Sequence, residues 1–129
     1  MRTRHLTPSV LLLGGAAILA LTACGGDTPS TSTPAADVDL VVTAIDGLAW
    51  EDNELSAAAG EVVVQLKNTS ALPHNLYFVD ADGNELPQFV TSSGSGDNPS
   101  ETVLLTAGSY TLICKIAGHG NMRANLTVE

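Results

Sequence analysis

The stretch that decides the fold of this chain lies near its end and reads Tyr110-Thr-Leu-Ile-Cys114-Lys-Ile-Ala-Gly-His119-Gly-Asn-Met122. Its alternating apolar residues predict a β-strand that ends at Cys114, followed by a short loop that contains glycine. This loop adds an imidazole at His119 and a thioether at Met122. A thiolate, an imidazole and a thioether so close together suit copper better than any other common metal.

A second histidine completes this donor set. His74 lies upstream, in Leu72-Pro73-His74-Asn75-Leu76. Two histidines, one cysteine and one methionine are the ligands of a blue-copper electron-transfer centre. Taken singly, each residue type is more often part of a core or a surface. Because no other histidine or methionine follows the first few residues of the chain, the four together predict a copper site.

The N-terminus has the features of an export signal. A basic start precedes the almost wholly apolar run from Val10 to Leu21, which is too short to span a membrane as a stable helix. Leu21-Thr22-Ala23-Cys24 follows and resembles the lipobox of bacterial lipoproteins. This resemblance implies that residues 1–23 are a signal peptide and that Cys24 is lipidated. The alternatives are a plain secretory signal with an incidental cysteine, or a retained anchor.

This interpretation bears on localisation and on the second cysteine. We expect an exported protein, anchored by lipid to the outer face of the cytoplasmic membrane or located in the periplasm or outer membrane. A lipidated Cys24 cannot form a disulfide with Cys114, the only other cysteine. Cys114 would then be a lone thiol in an oxidising compartment, a liability unless something such as a metal occupies it.

The chain is strongly acidic, with 14 acidic residues against five basic ones and a formal charge of −9. Loss of the signal peptide would leave three basic residues facing all 14 acidic ones, a charge of −11. Phosphates would be repelled by such a surface, which argues against nucleic-acid binding. The same charge would steer basic partners toward the molecule, although a merely solvated acidic surface explains it equally well.

The pattern beyond the signal predicts a tether and one β-domain. Residues 24–37 are rich in Ser, Thr, Pro and Gly and predict a flexible tether. Residues 38–129 alternate short β-rich runs with turn signals and predict an all-β sandwich or barrel. The expected strands are 39–45, an irregular strand and turn at 55–60, 61–67, 74–79, a short strand at 85–91 broken by Pro87, 101–106, 109–114 and 123–128.

Three blocks of this domain resemble the cupredoxins, the blue-copper fold of plastocyanin and azurin. They are Glu54-Leu55…Ala59-Gly60-Glu61-Val62…Lys67-Asn68, then Pro73-His74-Asn75, and finally Ala107-Gly108-Ser109-Tyr110-Thr111…Cys114…Gly118-His119…Met122…Leu126-Thr127-Val128. The resemblance covers residues 38–129. It implies a Greek-key β-sandwich of about seven to eight strands that holds copper.

The resemblance also implies a role for each donor. Cys114 would be the thiolate ligand and His74 the buried imidazole on a strand. His119 would be the more exposed imidazole and the route for the electron. Met122 would be the long axial ligand that tunes the reduction potential.

Two neighbours of His74 acquire expected roles in the same way. Asn75 would tie the strand of the first histidine to the cysteine loop. The Pro73 carbonyl could supply or supplement a weak axial contact.

One spacing departs from the family pattern. Only two residues separate His119 from Met122, whereas single-copper members usually have three or four. A two-residue spacing does occur in the related binuclear copper domain of cytochrome oxidase. That site needs a second cysteine four residues before the first, and here the position holds Tyr110. A mononuclear site is therefore expected.

These features favour a monomeric one-electron carrier in the bacterial cell envelope, with unidentified redox proteins as partners. The alternative is a copper chaperone or storage protein that binds Cu(I), and a scaffold domain without redox activity is a further possibility. An enzyme acting alone is not expected, because a catalytic copper site needs additional histidines. Docking is expected around His119, with an apolar rim at Leu72, Pro73, Ile116 and Ala117.

Overall fold

The computed structural model describes residues 37–129. The predicted signal peptide, the lipidation site Cys24 and nearly all of the tether lie outside the described residues. Within the described part, no helix is long and apolar enough to span a membrane.

Two sheets make up the described part of the chain. The strands are β1 (Leu40–Ile45), β2 (Ala49–Trp50), β3 (Glu54–Ala57), β4 (Gly60–Asn68), β5 (His74–Asp80), β6 (Glu85–Ser92), β7 (Ser100–Leu105), β8 (Gly108–Ile113) and β9 (Arg123–Val128). One sheet has the order β2-β1-β4-β7 and the other β3-β9-β8-β5-β6. The pairs β1–β4 and β3–β9 are parallel, and the other pairs are antiparallel.

This architecture confirms the all-β prediction, with nine strands in residues 37–129 rather than about seven to eight. The strand that the sequence did not predict is β2, which has only two residues, Ala49 and Trp50. It exists because the chain folds back on β1, where Trp50 pairs with Ala44. Two residues are too few to show alternation, so pattern alone could not predict this strand.

Alternating burial explains why the two sheets pack face to face. In β4 the side chains at Val62, Val64 and Leu66 are buried, whereas their neighbours are half-buried or exposed. β9 alternates without exception along its whole length. Inward-facing residues of both sheets therefore form one core, with Phe78, Leu66, Leu76, Leu105, Leu112 and Leu126 as its largest fully buried apolar side chains apart from Met122.

Pro87 does not break its strand, contrary to the sequence prediction. β6 runs without interruption from Glu85 to Ser92. It lies at the edge of its sheet, with β5 as its only paired neighbour among the described strands. The register between the two strands shifts between Tyr77 and Val79, opposite the segment that contains Pro87. At an edge with a bulge, a missing backbone donor costs no ladder hydrogen bond.

The topology brings the predicted donors to one end of the sandwich. β8 pairs antiparallel with both β5 and β9. The start of β5 at His74 therefore lies near the end of β8, which leads directly into Cys114. The start of β9 lies at this same end of the sheet and follows directly after Met122. Residues separated along the chain thus meet beside one short loop.

Candidate metal centre

His74, Cys114 and His119 form one buried cluster. One ligand atom from each lies within 4.8 Å of the others. The Nδ1 atoms of the two imidazoles are 3.2 Å apart, and Cys114 Sγ is 3.6 Å from His119 Nδ1. Among the described residues, Cys114 has no disulfide partner. The structure therefore brings together three of the four side chains that the sequence predicts as donors, with their nitrogen and sulfur atoms facing one another.

The two histidines differ in exposure in the expected direction. His74 is fully buried, while 7% of His119 is exposed. Burial lowers the pKa of His74, and the nearby His119 lowers it further. A lowered pKa keeps the His74 imidazole neutral, and only the neutral ring offers a lone pair to a metal.

The loop between Cys114 and Met122 is short but closed by hydrogen bonds. His119 N donates to Ile116 O, and Met122 N donates to His119 O, both at 2.9 Å. Cys114 N donates to Met122 O at 3.3 Å. Gly118 has a φ of +89°, a conformation that favours glycine. Two successive tight turns thus let the chain pass from Cys114 to β9 with only two residues between His119 and Met122.

Met122 is buried, with 1% of its surface exposed, and belongs to the same core cluster as Cys114. Its backbone lies beside Cys114 through the hydrogen bond just described. Axial ligation by its thioether stays a prediction. The axial contact expected from the carbonyl of Pro73, an exposed residue, also stays a prediction.

Asn75 makes the contact that the resemblance implied. Its Oδ1 accepts a hydrogen bond of 2.6 Å from the backbone N–H of Lys115. Because Asn75 follows His74 and Lys115 follows Cys114, this bond joins the two segments that carry the cluster. It therefore limits how far the thiol and the first imidazole can separate.

Ser70 is a residue of the site that sequence reasoning missed. Its Oγ lies 2.7 Å from Nε2 of His74, on the side of the ring away from His119. The buried side chain of Asn68 accepts a hydrogen bond from Ser70 N and donates one to the buried Ser92. A metal-binding histidine usually has a hydrogen-bond partner for its other ring nitrogen. Ser70 stands only four residues before His74, and this short separation is the one feature of the sequence that could have suggested it as that partner.

Trp50 packs against the same histidine. The centres of the Trp50 and His74 rings are 6.2 Å apart, with an angle of 56° between the ring planes. Only 3% of Trp50 is exposed, and its indole N–H has no hydrogen-bond partner among residues 37–129. Trp50 thus helps to seal the cluster from solvent on the side of β1 and β2.

Comparison with known proteins decides the family. The model of the copper-binding proteins of the plastocyanin/azurin family matches residues 36–129, which is most of the chain. The chain belongs to this family. The resemblance to the cupredoxins expected from the sequence is thereby confirmed.

Solved structures agree with this assignment. The cupredoxin is similar to a proline-to-glycine variant of amicyanin in its reduced Cu(I) form at pH 4, with 28% identity and a TM-score of 0.53 over 73% of this chain and 85% of that one. An azurin of Methylomonas sp. strain J shares the fold, with 22% identity and a TM-score of 0.55 over 73% and 99%. Auracyanin B does so too, with 23% identity and a TM-score of 0.52 over 69% and 86%. A search of curated proteins found no match.

Copper fits the donor set of this cupredoxin. A thiol and two imidazoles converge in a buried space, and thiolate with imidazole ligation is typical of copper in proteins. The lowered pKa of His74 is compatible with metal binding near neutral pH. The family and the cluster together indicate a single copper ion as the cofactor.

Proposed function

We propose that this cupredoxin carries single electrons in a bacterial cell envelope, with one copper ion bound by His74, Cys114, His119 and, axially, Met122. The observation that carries the proposal is the buried cluster of His74, Cys114 and His119, whose ligand atoms lie within 4.8 Å of one another. A bound copper ion would supply the one-electron couple between Cu(II) and Cu(I).

The residues around this site suit electron transfer because they resist movement. His74 begins a strand, and Cys114 ends one. The Asn75 bond to Lys115 and the two turns of the loop hold the donors in place. A donor set of fixed geometry that is acceptable to both copper oxidation states needs little rearrangement when an electron arrives or leaves. His119 has the larger exposed fraction of the two imidazoles and offers the shorter path to a partner.

The same burial argues against the chaperone alternative. A protein that hands over Cu(I) needs ligands that a partner can reach, and all three cluster residues are buried. An enzyme is not proposed either, because both histidines that follow His5 in the chain already belong to the cluster.

Copper binding and the type of site can be tested together. Residues 25–129 receive one equivalent of Cu(II), and visible absorption and electron paramagnetic resonance are recorded. We expect intense thiolate-to-copper absorption that Cys114→Ser abolishes. A colourless protein that binds only Cu(I) would favour the chaperone, and absence of binding would refute the proposal.

The axial role of Met122 needs its own variant. Met122→Leu keeps an apolar side chain of similar volume but removes the thioether. If the thioether ligates, the blue absorption of this variant persists and its reduction potential rises. The potential rises because removal of a donor destabilises bound Cu(II) more than bound Cu(I). An unchanged potential would exclude Met122 as a ligand.

We also propose that Cys24 is lipidated and that the lipid anchors the exported protein to a membrane. The support for lipidation is the sequence motif described above. Separately, the negative charge of the chain favours basic redox partners. In the native host, the full chain should enter the detergent phase on phase separation. Cys24→Ser should move it to the aqueous phase, whereas Cys114→Ser, the matched control, should not. If Cys24→Ser stays with the detergent, the lipid anchor is wrong.

The apolar rim expected around His119 is proposed as the docking surface for redox partners. Leu72 is 48% exposed, and Pro73 and Ala117 are exposed as well, while Ile116 is half-buried against the core. Electron self-exchange between copies of the protein tests this surface without a foreign partner. Leu72→Lys should slow self-exchange, and Leu104→Lys, at the opposite end of the sandwich, should not. Equal rates in both variants would refute the surface.

A further inference from the structure

We propose that Ser70 is a positioning residue that holds His74 in the tautomer with a hydrogen on Nε2, which leaves Nδ1 free to bind copper. The inference rests on the proposed function and deepens it, because it names the residue that determines which nitrogen of His74 faces the metal. Ser70 is 98% buried, with 2% of its surface exposed, and its Oγ lies 2.7 Å from His74 Nε2.

The other contacts of the Ser70 hydroxyl favour one direction for this hydrogen bond. A hydroxyl has one hydrogen to donate and two lone pairs that accept. Leu72 N donates to Ser70 Oγ at 3.1 Å, and the carbonyl oxygen of Leu72 lies 3.4 Å from the same atom. With the hydroxyl hydrogen directed to this carbonyl, the second lone pair faces Nε2. That nitrogen must then carry the hydrogen, and Nδ1 keeps its lone pair.

Nδ1 is the nitrogen that faces the rest of the cluster. It lies 3.2 Å from Nδ1 of His119, which in turn lies 3.6 Å from the sulfur of Cys114. The tautomer favoured by Ser70 is therefore the one in which His74 offers a lone pair to a shared metal ion. A hydrogen bond from Nε2 to an oxygen also raises the basicity of the ring and so its strength as a ligand.

A buried polar network keeps Ser70 in this place. Asn68 Oδ1 accepts from Ser70 N at 2.9 Å, and Asn68 Nδ2 donates to Leu72 O at 2.9 Å and to Ser92 Oγ at 3.0 Å. Ser92 Oγ donates to the carbonyl of Asp97 at 2.8 Å. Asn68 and Ser92 are both buried, so the loss of either hydrogen-bonding partner would leave a buried polar group unsatisfied and destabilise the fold. The network joins the β4–β5 loop to the β6–β7 loop and fixes the hydroxyl beside the ring.

The experiment compares three variants of the full chain. Ser70→Ala removes the hydroxyl, Ser70→Thr keeps it, and Ser109→Ala is the matched control. Ser109 is exposed and lies on β8, five residues before Cys114, or roughly 17 Å along an extended strand. Cu(II) affinity is measured by competition with a chelator of known affinity. We expect Ser70→Ala to bind Cu(II) about 10- to 100-fold more weakly, and the other two to stay within a few-fold of the natural protein.

A second readout follows the tautomer itself. Nitrogen–proton correlation spectra of the copper-free protein distinguish a hydrogen on Nε2 from one on Nδ1. In the natural chain we expect the His74 hydrogen on Nε2, with slow exchange with water, and in Ser70→Ala fast exchange or a mixture of tautomers. A merely structural role for Ser70 would change stability without changing the tautomer.

Two results would overturn the inference. One is a folded Ser70→Ala protein with natural Cu(II) affinity and an unchanged His74 tautomer. The other is a natural protein whose His74 carries its hydrogen on Nδ1, a result that stands even if Ser70→Ala does not fold. Failure of the natural protein to bind Cu(II) would instead refute the proposed function, and the tautomer measurement would still test the contact with Ser70.

Discussion

His74 has no exposed surface, and its two ring nitrogens meet different surroundings. One faces the hydroxyl of Ser70 and the other faces His119. The sequence predicted His74, Cys114 and His119 as copper ligands because histidine and cysteine are rare in this chain and because Cys114 and His119 lie close together in a pattern typical of such ligands. It could not predict Ser70, because a serine beside Asn and Thr between two strands is typical of any turn. Its contact depends on the path of the loop in space.

The burial of His74 predicts a pH dependence of the copper-free protein. Its pKa lies below the ordinary value of 6.5, chiefly through burial and secondly through His119. The unfolded chain therefore binds this proton more tightly, and the free energy of unfolding should fall as the pH drops below about 6.5. Thermal unfolding between pH 7.5 and 5.5 measures this slope.

His74→Gln provides the control for the pH dependence, because glutamine cannot take up the proton. The variant should lose part of the slope in this pH window, while the carboxylates that titrate at lower pH are present in both proteins. An identical slope in both proteins would mean that His74 does not cause the effect.

Among the elements, the loop from Cys114 to Met122 is the one with an unusually short spacing, because only two residues separate His119 from Met122. The sequence predicted its position and its donors, whereas its two successive turns and the φ of Gly118 required the structure. β6 teaches the converse lesson. Pro87 normally marks the end of a strand, but its cost depends on whether a neighbouring strand needs its N–H. Edge position is a property of the whole sheet, which no local pattern contains.

The geometry of this loop predicts different tolerance at its two glycines. Gly118→Ala places a side chain at a φ of +89° and should lower the free energy of unfolding by about 1–2 kcal/mol. Gly120 has no positive φ, and a Cβ there would meet nothing within 4 Å, so Gly120→Ala should be nearly neutral. Denaturant unfolding of the copper-free variants measures both effects. Equal loss at the two positions would show that backbone conformation is not the cause.

For the whole molecule, strand direction and net charge act together. Antiparallel pairing of β8 with β5 and β9 places the donors at one end of the sandwich. The full chain also carries a formal charge of −9, which acts on any charged molecule that approaches this end. The all-β class and the family followed from alternation and motifs, whereas the pairing order of the strands did not, because register and neighbours are long-range properties.

The negative net charge predicts how salt affects electron transfer with small charged reagents. Reduction of the Cu(II) protein by the cation hexaammineruthenium(II) should slow, by about tenfold, as ionic strength rises from 10 to 150 mM. Reduction by the anion ferrocyanide should accelerate over the same range. Stopped-flow absorption measures both rates. If neither rate depends on salt, the net charge does not govern the approach to the site.

Trp50 has one more consequence, which concerns light. It is the only tryptophan of the chain, and its ring lies 6.2 Å from that of His74. An excited indole so close to bound Cu(II) should lose its energy to the metal before it emits. We therefore expect the intrinsic fluorescence to be strong in the copper-free protein and weak in the loaded one. The fluorescence of Trp50 should therefore report the fraction of protein that has bound copper during a titration, without any added dye.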